Sequence, residues 1–569
     1  TISTILGAIL FLRFGYAIAH VGFWGTITII VLGHIVTIAT AMAVAEIATN
    51  QKVEGGGAYF MISRSFGINI GAAIGVALYL AQAISVAFYV IAFAEAFHPV
   101  FQWLNETYNL QLTDMRIVSI PSMALLTLLI LTKGADMGVK ALYVVVAVLF
   151  ISIFLFFIGH PDYTPPPDRF TAHVANPDSF FYVFTIIFPA FTGIAAGLGL
   201  SGDLKEPRKS IPLGTLSATF FGMVMYVFIA YKLTISASPE DLANDQLFMS
   251  KIAAWGPAIP IGLACATISS ALGSIMIAPR TLQALGKDKV FPSDHLNEFF
   301  AKGKGAVNEP FNSAVITCAI AFLFIAMGNV NFVAEIISMF FMVTYGAICL
   351  ISFLEHFAAD PSYRPTFKSR WYLSLIGAVF CFWLMFQMNF LYAVLSLLLM
   401  LAIYIFITYF KDSKEGLAAI FQGVIFQVSH KLQVFLQKRK SDEYEKWRPA
   451  IVGFSGDTFK RPALFDFVSW LSYKYGFGTY THFIHGRISK ETGVEAREAK
   501  KKLLQMAIAS KSHVYLDTHI SPSFTTAVAQ VIQLPGMSGK ENNMIVFEFL
   551  KKDPETLKDI IDNFPLIKA

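Results

Sequence analysis

Twelve apolar runs of about twenty residues fill the first 410 positions of this 569-residue chain, and no other feature limits its fold as strongly. Their approximate bounds are 1–21, 23–49, 69–98, 116–133, 136–159, 180–200, 211–236, 255–280, 310–328, 330–355, 370–388 and 390–410. A run of that length reads as a bilayer-crossing helix, because in hydrocarbon every backbone N–H and C=O must find a partner within the protein. Residues 1–410 hold 41 charged side chains, 10% of that span, whereas residues 411–569 hold 40, or 25%. The chain therefore divides into a membrane part, 1–410, and a more polar part beyond it.

Charge placement orients the membrane part. With a cytoplasmic N-terminus, the inner loops carry 15 Lys and Arg residues. The outer loops and their edges carry only Arg116, Arg169, Lys232 and Lys251. That bias places both termini in the cytoplasm of a multi-pass cell-membrane protein. The four cysteines, Cys265, Cys318, Cys349 and Cys381, lie in apolar runs and read as small buried hydrophobes rather than a disulfide or metal framework. No signal peptide opens the chain, and Thr1 is expected to lie inside the first helix of a longer protein.

One apolar run is built to come apart. The stretch FPAFTGIAAGLGLSGDLKEPRKSIP, 188–212, carries Pro189, Gly193, Gly197, Gly199 and Gly202. Proline removes a helical donor and glycine gives up backbone entropy, so both weaken a helix. Small residues can instead serve close helix packing. A proline and three glycines in eleven positions favour a break. A weaker interruption stands five spans earlier, in STILGAILFLRFG, with Gly7, Gly15, Ser3 and Thr4. Two interruptions at matching positions point to a transporter built from inverted repeats, whose broken ends expose carbonyls to cations and amides to anions.

Together with GGGAYFMISRSFG (55–67), SVAFYVIAFAE (85–95), ATISSALGSIMIAPRTLQALGKDKVFP (266–292), ADPSYRPTFK (359–368) and WRPA (447–450), the broken stretch resembles the cation-chloride cotransporters of the amino acid–polyamine–organocation superfamily. The resemblance covers essentially the whole chain. It implies 12 transmembrane helices in a 5+5 inverted repeat (LeuT-like) with helices 1 and 6 broken, followed by a cytosolic three-layer α/β domain. It also implies symport of chloride with sodium and potassium, with no cofactor. The sodium ligands it implies are Ser3, Leu6, Ala266, Ser269 and Ser270. The last three share one helix face by their spacing, although such serines can equally bond back to the preceding turn. Potassium–chloride members lack the serine found here as Ser269. The implied potassium ligands are Thr4, Ile5, Tyr89, Pro189 and Thr192. The family's asparagine on the first helix is Thr4 here, so sodium–chloride symport without potassium stays open.

For chloride, the resemblance implies amides around Gly7, Ala8 and Ile9 at one site. Those of Gly193, Ile194 and Ala195, with the Tyr345 hydroxyl, form the other. Arg13 and Glu95, both charged within apolar runs, correspond to an external gate; a charge at that depth calls for a partner unless it snorkels. The competing readings are sodium-independent potassium–chloride symport and an amino acid permease. Nothing resembles a nucleophile–base set, so an enzyme is not expected, nor is a nucleic-acid partner.

Residues 411–446 read as an amphipathic linker helix. In 447–569, AIVGFSG, THFIHGRI, HVYLDTHI and NMIVFEFL read as strands, with helices over 462–475, 490–510 and 522–534. The alternation predicts a parallel α/β domain, for which the resemblance implies dimerisation and regulation. GFSGDTF lacks phosphate-loop spacing, and no nucleotide is expected. His482 and His485, three apart on a strand, would face opposite sides rather than share a metal.

Overall fold

The computed structural model describes residues 2–50, 57–109, 111–133, 136–160, 163–194, 206–305, 308–358, 363–410, 417–438, 447–534, 536, 542–549, 551–552 and 554–568. The chain forms two compact units, Thr1–Val424 and Ile425–Ala569, and the division falls within the Leu417–Lys438 helix.

The first unit is helical. Among the described residues, seven helices are long and apolar enough to cross a membrane: Phe14–Asn50, Ile68–Tyr108, Arg208–Ser236, Ala258–Lys287, Val330–Ala358, Trp371–Met388 and Phe390–Phe410. Shorter apolar helices lie at Arg116–Thr132, Tyr143–Ile158, Phe180–Phe191 and Phe311–Met327. The end of the first expected span and the whole of the second run on as Phe14–Asn50, bent at Gly22 with φ +68°, a conformation in which a Cβ would be strained. The Ile68–Glu95 helix is buried along nearly its whole length, packing against the Ala258–Lys287 and Val330–Ala358 helices. It is apolar on every side, as a helix enclosed by others must be.

The second unit holds four parallel strands in the order β3-β2-β1-β4: β1 Ala450–Ser455, β2 Phe477–His485, β3 Tyr515–Ser521 and β4 Met544–Phe547. Ile451 of β1 joins one apolar cluster with Leu464, Phe465, Val468 and Leu503; Val452 and Phe454 join another with Ala527, Val528 and Val531. Alternate residues thus face helices on opposite sides of the sheet, which is why β1 is buried throughout. β2 starts at Phe477 rather than at Thr481, because parallel pairing with β1 begins at Ala450↔Phe477 and draws the glycine-containing segment into the sheet.

Candidate functional site

Both interruptions are visible in the backbone. A short helix, Ile2–Ile5, ends at Leu6; Gly7 is extended (φ −91°, ψ −153°), and a second short helix runs Ala8–Leu12. The other begins where Ser179 caps the Phe180–Ile187 helix and Phe188–Phe191 tightens into a 3₁₀ turn. Pro189 explains the change. It has no N–H to give Thr185, four residues back, and its ring would crowd that carbonyl. The orphaned Thr185 carbonyl instead accepts from Ser338 Oγ at 3.1 Å.

Four of the carbonyls from Pro189 to Gly193 are taken up by hydroxyls. Thr192 Oγ1 donates to Pro189 O at 2.8 Å, and Tyr345 Oη donates to Thr192 O at 2.6 Å. Thr4 Oγ1 donates to Gly193 O at 3.3 Å, which joins the two interruptions directly. Tyr226 Oη reaches Ala190 O at 3.0 Å and also the Ile5 carbonyl. Irregular backbone inside a membrane protein is tolerable because such groups satisfy it. The interruptions approach so closely that a Cβ on Gly193 would stand 2.7 Å from Ile5 Cγ1, 2.8 Å from Ile5 N and 2.9 Å from Thr4 Oγ1.

Thr4, Ile5, Pro189 and Thr192 are therefore gathered in one buried place. Tyr89 is buried on the Ile68–Glu95 helix, its ring edge-on to Phe88. Ala266, Ser269 and Ser270 lie buried on the Ala258–Lys287 helix. A Cβ on Gly7 would stand 3.6 Å from Ser270 Oγ, so the serine faces the first interruption. Thr267, on the same helix, ties its hydroxyl back to Leu263 O at 2.8 Å. Ser270 Oγ is buried and has no hydrogen-bond partner among the described residues. Leu6 is fully buried nearby, and Ser3 belongs to the Ile2–Ile5 helix.

The amides are arranged less uniformly. Gly7 N–H donates to Ile5 O at 2.8 Å, so this amide already has a carbonyl acceptor. Ala8 and Ile9 open the following helix, where the first amides have no partner within it. Gly193 and Ile194 lie just past the 3₁₀ turn, and Ala195 lies outside the described residues, as do Gly197, Gly199 and Gly202. The Tyr345 proton points at the Thr192 carbonyl in this arrangement.

Arg13 ends the Ala8–Leu12 helix, and its Nη1 lies 3.6 Å from Glu95 Oε2. The guanidinium hydrogen-bonds elsewhere: Nη1 to Gln246 Oε1 at 2.9 Å and to Leu12 O at 3.2 Å, and Nε to Asn331 Oδ1 at 3.1 Å. Sequence reasoning missed Gln246, Asn331, Ser338 and Tyr226. Gln246 lies in the loop between two apolar runs and Asn331 at the edge of one, with no motif around either. Tyr226 is one of 21 tyrosines, and its only local signal is Gly222 one turn earlier. A Cβ on Gly222 would stand 2.5 Å from Ile5 Cγ2.

In the α/β unit, burial lowers the His482 pKa below its ordinary value, while Glu495 and Asp457 act in the opposite direction. Its Nδ1 lies 2.8 Å from Thr458 Oγ1, and His485 is exposed. No group of three or more His, Cys, Asp or Glu side chains among the described residues could hold a metal ion.

Long apolar helices, two of them interrupted around a polar, hydroxyl-lined centre, are those of a multi-pass membrane protein. The chain belongs to the amino acid permease family, whose pattern matches residues 1–441. It is 30% identical over 618 residues to solute carrier family 12 member 2 of Squalus acanthias, covering 98% of this chain and 51% of that protein. Against the Homo sapiens member 2 it is 31% identical over 606 residues, covering 96% and 49%. Against solute carrier family 12 member 1 of Mus musculus it is 30% identical over 605 residues, covering 96% and 54%. The chain thus spans about half the length of these curated relatives. The similarity bears out the resemblance drawn from the sequence motifs.

Proposed function

We propose that this protein is a secondary active symporter moving chloride with sodium and potassium by alternating access. The observation that carries the reading is Ser270: a buried hydroxyl without a hydrogen-bond partner among the described residues, facing an interrupted helix that a Thr4–Gly193 hydrogen bond joins to a second interruption. Dehydrating a cation is expensive unless oxygens replace its water, and such a place offers them. Sodium is assigned to oxygens of Ser3, Leu6, Ala266, Ser269 and Ser270. Potassium is assigned to Thr4, Ile5, Tyr89, Pro189 and Thr192. Chloride is assigned to the amides at Gly7, Ala8 and Ile9 and to those at Gly193, Ile194 and Ala195 with Tyr345. For the upper chloride, Ala8 and Ile9 are the better donors, since Gly7 already serves Ile5.

The frame for this activity is twelve spans in two inverted five-helix repeats with two added helices, both termini cytoplasmic. Arg13 and Glu95 form its external gate. The domain from 447 onward mediates homodimerisation. One sodium, one potassium and two chlorides sum to zero charge. They avoid the roughly 2.3 kcal/mol that each net charge meets per 100 mV.

Tracer uptake of chloride and rubidium into proteoliposomes, with sodium, potassium and chloride omitted in turn, tests the reading. Chloride uptake that needs sodium, with rubidium uptake that needs both sodium and chloride, is the expected result. Chloride uptake indifferent to potassium would make this a sodium–chloride symporter, and uptake indifferent to sodium a potassium–chloride symporter. Indifference to every ion would leave the amino acid permease reading in place.

A further inference from the structure

The Pro207–Ser236 helix supplies none of the ligands assigned above, yet it reaches the centre of the site. Gly222 and Tyr226, four residues apart, lie on one face of it. Gly222 leaves room for the Ile5 side chain, and Tyr226 places its hydroxyl at the Ile5 and Ala190 carbonyls, one from each interrupted segment. The ring is fully buried, stacked on Phe14 at 4.8 Å and set edge-on to Phe191 at 5.6 Å, so the hydroxyl has little freedom to leave by moving the ring.

A carbonyl oxygen has two lone pairs. Those of Ile5 are both engaged, one by Gly7 N–H at 2.8 Å and one by the Tyr226 hydroxyl. A cation that takes Ile5 O as a ligand must displace one of these donors. The Gly7 amide is fixed by the backbone, whereas the Tyr226 proton swings about a single bond. A phenol has only one proton to share between Ile5 and Ala190, so its hold on each is partial.

Resting on the cation-site reading above, we propose that Tyr226 sets the cation affinity of that site. Its hydroxyl proton, shared with Ala190 O, competes with the bound monovalent cation for the Ile5 carbonyl, setting a threshold that an ion must exceed to bind. Removing the hydroxyl leaves the Ile5 carbonyl buried without that donor and raises the gain from putting a cation on it.

The test is Tyr226→Phe, which keeps the ring and its packing. Rubidium-dependent thermal stabilisation of the detergent-purified protein and half-saturating rubidium in proteoliposome uptake are measured for variant and wild type together. The expected result is a fall in half-saturating rubidium of about fivefold or more, with a larger rubidium-dependent rise in Tm. An unchanged half-saturation would reduce Tyr226 to packing, and a raised one would make it a strut or ligand; either overturns the proposal. A variant that folds only when purified in rubidium supports it, because the ion then replaces the missing donor. A variant that folds in neither condition overturns it. A wild-type protein that ignores rubidium in both measurements defeats the underlying site reading instead, so the two failures are distinguishable.

Discussion

In the α/β unit, Thr458 Oγ1 lies 2.8 Å from His482 Nδ1 and 2.9 Å from Tyr480 Oη, three buried polar side chains closing on one another beside an unbroken sheet. In the membrane unit, Thr4, Thr192, Tyr226 and Tyr345 direct their hydroxyls at main-chain carbonyls released by broken helices. The first arrangement satisfies side chains that regular backbone does not need. The second satisfies backbone that would otherwise be intolerable in hydrocarbon, and leaves Ser270 without a partner among the described residues. Polar groups inside the two units thus do different jobs: one fixes a core, the other holds the backbone at the two interruptions.

The largest effect separating the two should come from Arg13→Ala. It strips Glu95 of its cation while the carboxylate stays buried, which is expected to destabilise the membrane unit by roughly 3–5 kcal/mol. Arg13→Ala combined with Glu95→Ala should be milder than Arg13→Ala alone, as read by thermal unfolding in detergent. Glu95→Ala alone closes the cycle, and a double loss equal to the sum of the two single losses would show that the pair is not coupled.

Gly193→Ala comes next. Its methyl would press on Ile5 and Thr4, and overpacking of this kind costs about 1–3 kcal/mol. Because the two interruptions must part to admit it, rubidium and chloride uptake should fall by about tenfold or more at protein levels that still fold. Normal uptake would mean that the close approach of Ile5 and Gly193 is incidental to transport.

Ser270→Ala sharpens the contrast by dissociating stability from affinity. Its hydroxyl makes no hydrogen bond among the described residues, so Tm should hold or rise. Half-saturating sodium should increase roughly tenfold, the loss expected for one oxygen on a cation. A lower Tm with unchanged sodium dependence would make Ser270 a structural residue like Thr267.

The smallest effect lies in the α/β unit. His482 has its pKa lowered by burial, so the unfolded chain binds a proton at higher pH than the folded one. Stability from this group is complete above its ordinary value of about 6.5 and declines as pH falls from there toward the lowered value. A pH series of unfolding for this unit should show that slope, and His482→Gln should flatten it. A slope unaffected by the substitution would assign the pH dependence to other groups.

How much of this was legible beforehand differs residue by residue. The Pro189 interruption could be read directly, since proline's missing N–H acts on its own chain at a fixed distance. The first interruption had one glycine at its centre and was legible mainly by its position relative to the second. Ser270 shared its spacing with Ser269, yet the choice between a ligand and a back-bonded hydroxyl needed neighbours to decide. Tyr226 and Ser338 gave no usable signal. Their partners lie 221, 36 and 153 residues away in sequence, far beyond any local pattern.

By itself, then, the sequence determined the apolar helices, the place where one of them must fail, and the parallel order of a small α/β domain. Each follows from forces acting within a turn or a strand: burial periodicity, a missing donor, the alternation of side chains. Only the tertiary structure decided which hydroxyl meets which released carbonyl and that Ser270 meets none among the described residues. It also decided that Ile5 has both lone pairs engaged. Hydrogen bonding is saturable and directional, so who is left over can be known only once every neighbour is in place.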